Sequence, residues 1–109
     1  MAFKREGMVA LTPDRELLAY WCQGCEHIHQ VRVAGEGRPR WEWNGDVNKP
    51  TLSPSIRAFW PARQSKPEST RCHHFLRAGE IEFLSDSAEH ELRGAHPLQP
   101  IPENYGGVD

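Results

Sequence analysis

The sequence predicts a small, mainly β domain of antiparallel hairpins, stabilised by zinc, with at most one or two short helices. Three observations predict it. Short strand-like runs of alternating or apolar residues recur along the chain, each closed by Gly, Pro, Asn or Asp. Nine Gly and nine Pro in 109 residues, with only 38% hydrophobic residues, describe a loop-rich chain with a thin core, and such a core benefits from a staple. Cys22 and Cys25 form a C-x-x-C knuckle, and Cys72 lies far downstream.

Taken in order, residues 1–17 are a polar lead-in, interrupted by the apolar run Met8 to Leu11 and by Pro13-Asp14, after which Arg15 to Leu18 suits a single helical turn. Leu18 to Cys22 is apolar and aromatic; past the Gln23-Gly24 tip, His27, His29, Val31 and Val33 share one parity, so the knuckle sits at the bend of a hairpin. Gly35 to Pro39 is a turn, and Trp41-Glu-Trp43 alternates as a strand that Asn44-Gly45-Asp46 ends. Pro50 and Pro54 fix two φ angles within five residues, which gives a stiff, extended segment before a strand over Ile56 to Trp60. Pro61 to Thr70 reads as a loop. Arg71 to Leu76 and Ile81 to Leu84 make a third hairpin, and Ser87 to Leu92 suits a short helix capped by Asp86 or Ser85. A single domain is expected, with its core over 18–96 and a Pro- and Gly-rich tail over 97–109 that is extended or mobile.

Thirteen basic against fifteen acidic residues give a formal charge of -2, so no positive field favours nucleic acid as a partner. No apolar run approaches the roughly 18 residues needed to span a bilayer, and the start MAFKREGM lacks a signal peptide's apolar stretch. A cytoplasmic protein without membrane contact is the expectation. Three cysteines cannot all pair within one chain, and in a reducing compartment a C-x-x-C carries thiolate chemistry. Redox chemistry would want a βαβ context that this strand-rich chain lacks. The bland alternative is three ordinary buried thiols. Zinc needs about four soft or borderline ligands arranged tetrahedrally; Cys22, Cys25 and Cys72 supply three, and His27, His29, His73 and His74 are candidates for the fourth, with His29 favoured because it shares the knuckle's hairpin.

Several blocks resemble, in order, one family of small bacterial and phage proteins, the BubE-like family of operons that encode ubiquitin-like conjugation machinery. The blocks are Trp21-Cys-Gln-Gly-Cys25 with His29, Trp41 to Asp46, Lys49 to Ser55, Cys72-His73-x-Phe75, Gly79-x-Ile-x-Phe-Leu84 and Asp86-Ser-x-x-His90. The resemblance runs from about Trp21 to Pro102. It implies a peptidase that processes or removes a ubiquitin-like protein at its C-terminus. It also implies a departure, since relatives carry a Cys where this chain has Ser87, and a histidine must then complete the metal site.

Serine hydrolysis needs a hydroxyl, an imidazole to take its proton and usually a carboxylate to orient that imidazole. Ser53, in the stiff segment, is the first-choice nucleophile and Ser55 the second; His73, on the strand face opposite Cys72, or His90 is the base, and Asp86 the carboxylate. Each has a plainer reading: Ser-Pro as a turn former, Asp86 as a helix cap, His90 as a solvated side chain. Asn44 caps its turn or donates to an oxyanion, and Tyr20, Trp41, Trp43 and Trp60 suit a core better than a recognition surface. A zinc hydrolase with Glu80 or Glu82 as base is weaker, because three thiolates suit a closed site and no H-E-x-x-H occurs. His27-Ile-His29 matches the His-x-His of JAMM-type deubiquitinases without the Ser-x-x-Asp that follows it there. The alternative outside catalysis is a zinc-binding protein-interaction module, phage-encoded, that meets its partner through aromatics and the tail.

Overall fold

A computed structural model describes residues 3–60, 70–87 and 90–109. The chain forms two antiparallel sheets. The first, in the order β1-β2-β3-β4, comprises β1 (Lys4–Glu6), β2 (Val9–Leu11), β3 (Leu17–Cys22) and β4 (His27–Arg32). The second, in the order β5-β6-β7-β8-β9, comprises β5 (Glu42–Trp43), β6 (Leu52–Trp60), β7 (Thr70–Arg77), β8 (Glu80–Phe83) and β9 (Gly94–Pro97).

The period-two pattern sorts side chains between faces. Val9, Leu11, Leu18, Tyr20, Cys22 and Val31 of the first sheet join Leu52, Ile56, Cys72, Leu76, Ile81 and Phe83 of the second in one buried core. On the first sheet's other face, Ala10 and Ala19 are small enough for the C-terminal segment to approach, and Phe3, Ile101 and Val108 bury against them. The tail over 97–109 is therefore docked. Phe3 bridges Val108 in parallel, and the Arg5 guanidinium donates to the carbonyls of Ile101 and Pro102 at 2.5 and 3.1 Å. Proline and glycine deny this tail a regular ladder, and its buried Ile101 and Val108 hold it instead.

The knuckle hairpin forms as its pattern predicts, with Cys22 opposite His27 and Tyr20 opposite His29. Other local expectations change. Arg15 to Leu18 holds no helical turn: β3 begins at Leu17, because the Thr12 and Asp14 side chains close a tight turn on the amides of Leu17 and Glu16. Among the described residues no helix occurs at all. Residues 90–92 are irregular, Ala88 and Glu89 lie outside the described residues, and so do residues 61–69 of the expected loop, whose last residue, Thr70, instead begins β7 by pairing with Trp60. Asn44 caps its turn, its Oδ1 accepting from Asp46 and Thr51 amides. Tyr20 is buried, Trp41 and Trp43 pack partly buried on the core, and the side chain of Trp60 lies outside the described residues. Among the described residues no helix is long and apolar enough to cross a membrane.

Candidate active site and metal centre

The two-residue spacing of β7 separates two clusters. Cys72 and His74 project into the core, while His73 projects from the outer face. On the core side, Cys22 at the end of β3, Cys25 in the turn, His29 on β4 and Cys72 on β7 bring one ligand atom each to within 4.8 Å of one another. The Sγ atoms of Cys22 and Cys72 are 3.9 Å apart, and the Cys25 amide donates to Cys22 Sγ at 3.3 Å. Two thiolates on one tetrahedral zinc at a Zn–S length of about 2.3 Å stand roughly 3.8 Å apart, so the residues present fit such an ion. These four residues could bind a metal ion.

Protonation follows from the crowding. Hydrogen bonds from Cys25 and then Cys72 hold the Cys22 thiol far below its ordinary pKa, and the same contacts with Cys22 and Cys25 push the Cys72 thiol up. A dication at the centre would let all three ionise together. Around them lies a second ring of contacts. Burial lowers the His74 pKa to about 3, so its ring is neutral. Tyr20, whose pKa burial raises, keeps its proton and donates to His74 Nε2 at 2.6 Å, which leaves His74 Nδ1–H to donate to Cys72 Sγ at 3.4 Å. His90 stands here as well. Its Nδ1 accepts from the Leu92 amide at 3.2 Å, so Nε2–H donates to Cys72 Sγ at 3.4 Å. The His90 ring occupies the space a Cβ at position 24 would fill, which accounts for glycine at the knuckle's tip.

On the outer face, Ser55 Oγ lies 3.1 Å from His73 Nε2, and His73 Nδ1 lies 2.9 and 3.0 Å from the two carboxylate oxygens of Asp86. The His73 hydrogen bond is the largest cause that holds the Asp86 carboxyl below its ordinary pKa, with Arg57 adding a smaller pull. A lowered pKa means that this contact stabilises the fold above the ordinary carboxylate range and is lost as pH falls through the lowered value. The carboxylate is thus ionised at neutral pH and accepts from Nδ1–H, which leaves Nε2 as the acceptor for the Ser55 hydroxyl proton.

Neighbours hold each member. Ser87 Oγ accepts from the His73 amide and donates to the His73 carbonyl, both at 2.8 Å, pinning the backbone that carries the imidazole. Trp41 Nε1 donates to the Ser55 carbonyl at 3.3 Å. Between Leu52 and Ile56 the β6–β7 register shifts: Leu52 faces Leu76 while Ile56 faces His74, so β6 fits two extra residues into the interval. Such irregularities re-aim side chains. Ser53, the first-choice nucleophile, pairs with Glu42 of β5 on the far edge, and it is Ser55 that reaches His73. His90, the alternative base, is drawn to the sulfur cluster, whereas His73 and Asp86 meet as a bonded pair. Ser87 and Trp41 carry supporting roles that residue type alone did not signal.

An imidazole thus bridges a serine hydroxyl and a carboxylate on one face of β7, and a separate Cys/His cluster lies on the other, in a small all-β protein of two sheets. A model of the family described as bacterial ubiquitination-like system serine protease (BubE) matches residues 2–84, more than half of the chain, and the chain belongs to that family. Searches of curated proteins and of solved structures returned no match.

Proposed function

We propose that this chain is a serine-type peptidase that acts at the C-terminus of a ubiquitin-like protein, with Ser55 as nucleophile, His73 as general base and Asp86 as its orienting carboxylate. The observation that carries the reading is the unbroken hydrogen-bonded chain from Ser55 Oγ through both nitrogens of His73 to Asp86. Ser55 Oγ attacks the scissile carbonyl while His73 Nε2 takes its proton; the imidazolium then gives that proton to the leaving amine, and water releases the acyl group by the same route. Asp86 fixes the tautomer and stabilises the imidazolium. The ion at Cys22, Cys25, His29 and Cys72 is zinc on this reading, since three thiolates and one imidazole make a closed structural set. Bound there, it would cross-link the two sheets, and no step above passes through it. No disulfide joins Cys22, Cys25 and Cys72, which suits a reducing compartment such as the cytoplasm.

The alternative is a non-catalytic zinc module, phage-encoded, that binds a protein. The two separate on one experiment. Ser55→Ala abolishes cleavage of a ubiquitin-like precursor while zinc content and thermal unfolding match the parent, and Ser53→Ala cleaves normally. Full cleavage by Ser55→Ala rejects the assignment.

A further inference from the structure

Two strand edges face a cleft of about 260 Å³ whose lining includes Gln30 and Val31 of β4, Ile56, Arg57 and Ala58 of β6, and Trp41. β4 is the last strand of its sheet, and among the described residues β5 pairs with β6 at Leu52 and Ser53 alone. The direction of each edge follows from bonds already made. The Arg32 carbonyl accepts from the Trp41 amide, away from β3, so alternation turns the Gln30 N–H and C=O toward the open edge as well. On β6 the Ser55 carbonyl points out to Trp41 Nε1, so Arg57 N–H and C=O, two residues on, point out too. This agrees with β7, where the His73 amide and carbonyl turn to Ser87 and Leu84, leaving His74 and Cys72 to pair with Ile56 and Ala58.

We infer that the cleft takes an extended peptide segment, added as a strand to the β6 edge at Arg57, that carries a carboxylate beside the Arg57 guanidinium. This rests on the peptidase reading and names how that site would hold its substrate. Backbone amides at an open edge recognise another backbone by main-chain hydrogen bonds. The charge is complementary: Arg57 supplies a fixed positive charge, only weakly engaged with Asp86, and no Asp or Glu is among the described residues that line the cleft. The position is right for chemistry, because Ser55 lies on the same edge ~7 Å from Arg57 at strand spacing. Trp41, bonded to the Ser55 carbonyl, ends the groove beside the nucleophile.

The test passes a decapeptide library over immobilised Ser55→Ala protein and identifies the retained peptides by mass spectrometry. Expected are acidic peptides that slow amide exchange at Arg57, lose at least tenfold in affinity when N-methylated at alternate residues, and are released by Arg57→Gln protein. No retention, or retention without protection at Arg57, overturns the inference. Fluorophosphonate labelling of the parent protein runs beside it: labelled Ser55 with no retained peptide fails the groove alone, whereas retained, protecting peptides with unlabelled Ser55 fail the peptidase reading alone.

Discussion

At the scale of the residue, the site depends on which atoms of His73 hold the proton. In the neutral ring, with Nδ1–H committed to Asp86 at 2.9 Å, Nε2 is the nitrogen that accepts, and it faces the Ser55 hydroxyl. Asp86→Asn keeps the shape and reverses this preference, because an amide donates where the carboxylate accepted. A fall in kcat of about 10³ to 10⁴ is expected with folding unchanged, as for the corresponding change in other triads; a steady-state comparison of the two proteins at matched zinc content checks it. The choice between Ser53 and Ser55 was not legible in the sequence. Both share one parity in the same stiff segment, and only the register shift between Leu52 and Ile56 decides which hydroxyl meets the imidazole. Parity placed His73 on the face opposite Cys72, and there it meets Asp86, just past the end of β8. His90 stands beside Cys72 instead, a position that its distance in sequence from Asp86 does not signal, because it is Gly24 that leaves room for its ring.

At the scale of the element, turns and caps decide what local patterns can show. The β7–β8 hairpin turns through Ala78 and Gly79 at φ of 48° and 80°, positive at both central residues as a type I′ turn requires. Glycine accepts that conformation freely, whereas an alanine there costs ~1 kcal/mol. Ala78→Asn should therefore stabilise the protein by roughly 0.5 to 1 kcal/mol, read as a higher urea midpoint with an unchanged slope. The knuckle, the β7–β8 hairpin and the Trp41 strand were readable because period and turn chemistry are local. β9 and the docked tail were not, because their partners lie elsewhere: β9 exists by pairing with β8, and the tail by filling the space over Ala10 and Ala19. Ile101 is buried in that contact. Ile101→Ala is expected to cost about 2 to 5 kcal/mol in chemical denaturation, where a mobile tail would cost almost nothing.

At the scale of the whole molecule, the fold is two sheets sharing one core, with the sulfur cluster drawing three ligands from the first sheet's knuckle hairpin and one from the second. Cys72 joins the two faces: the strand that offers its sulfur inward offers His73 outward one residue later, so a clamp at Cys72 would fix the frame on which the proposed general base stands. Dialysed protein should carry about one equivalent of zinc by elemental analysis. Stripping it with a strong chelator should lower the melting temperature by well over ten degrees and abolish peptidase activity, with both restored on adding zinc back; an unchanged melting curve after complete removal would mean the core holds without a clamp. Whether Ser55 is the nucleophile is decided by treating the zinc-loaded protein with a fluorophosphonate and mapping the modified residue by mass spectrometry. A single adduct on Ser55, lost in His73→Ala protein that retains its zinc, is the predicted result; an unmodified Ser55, or equal labelling without His73, would contradict it.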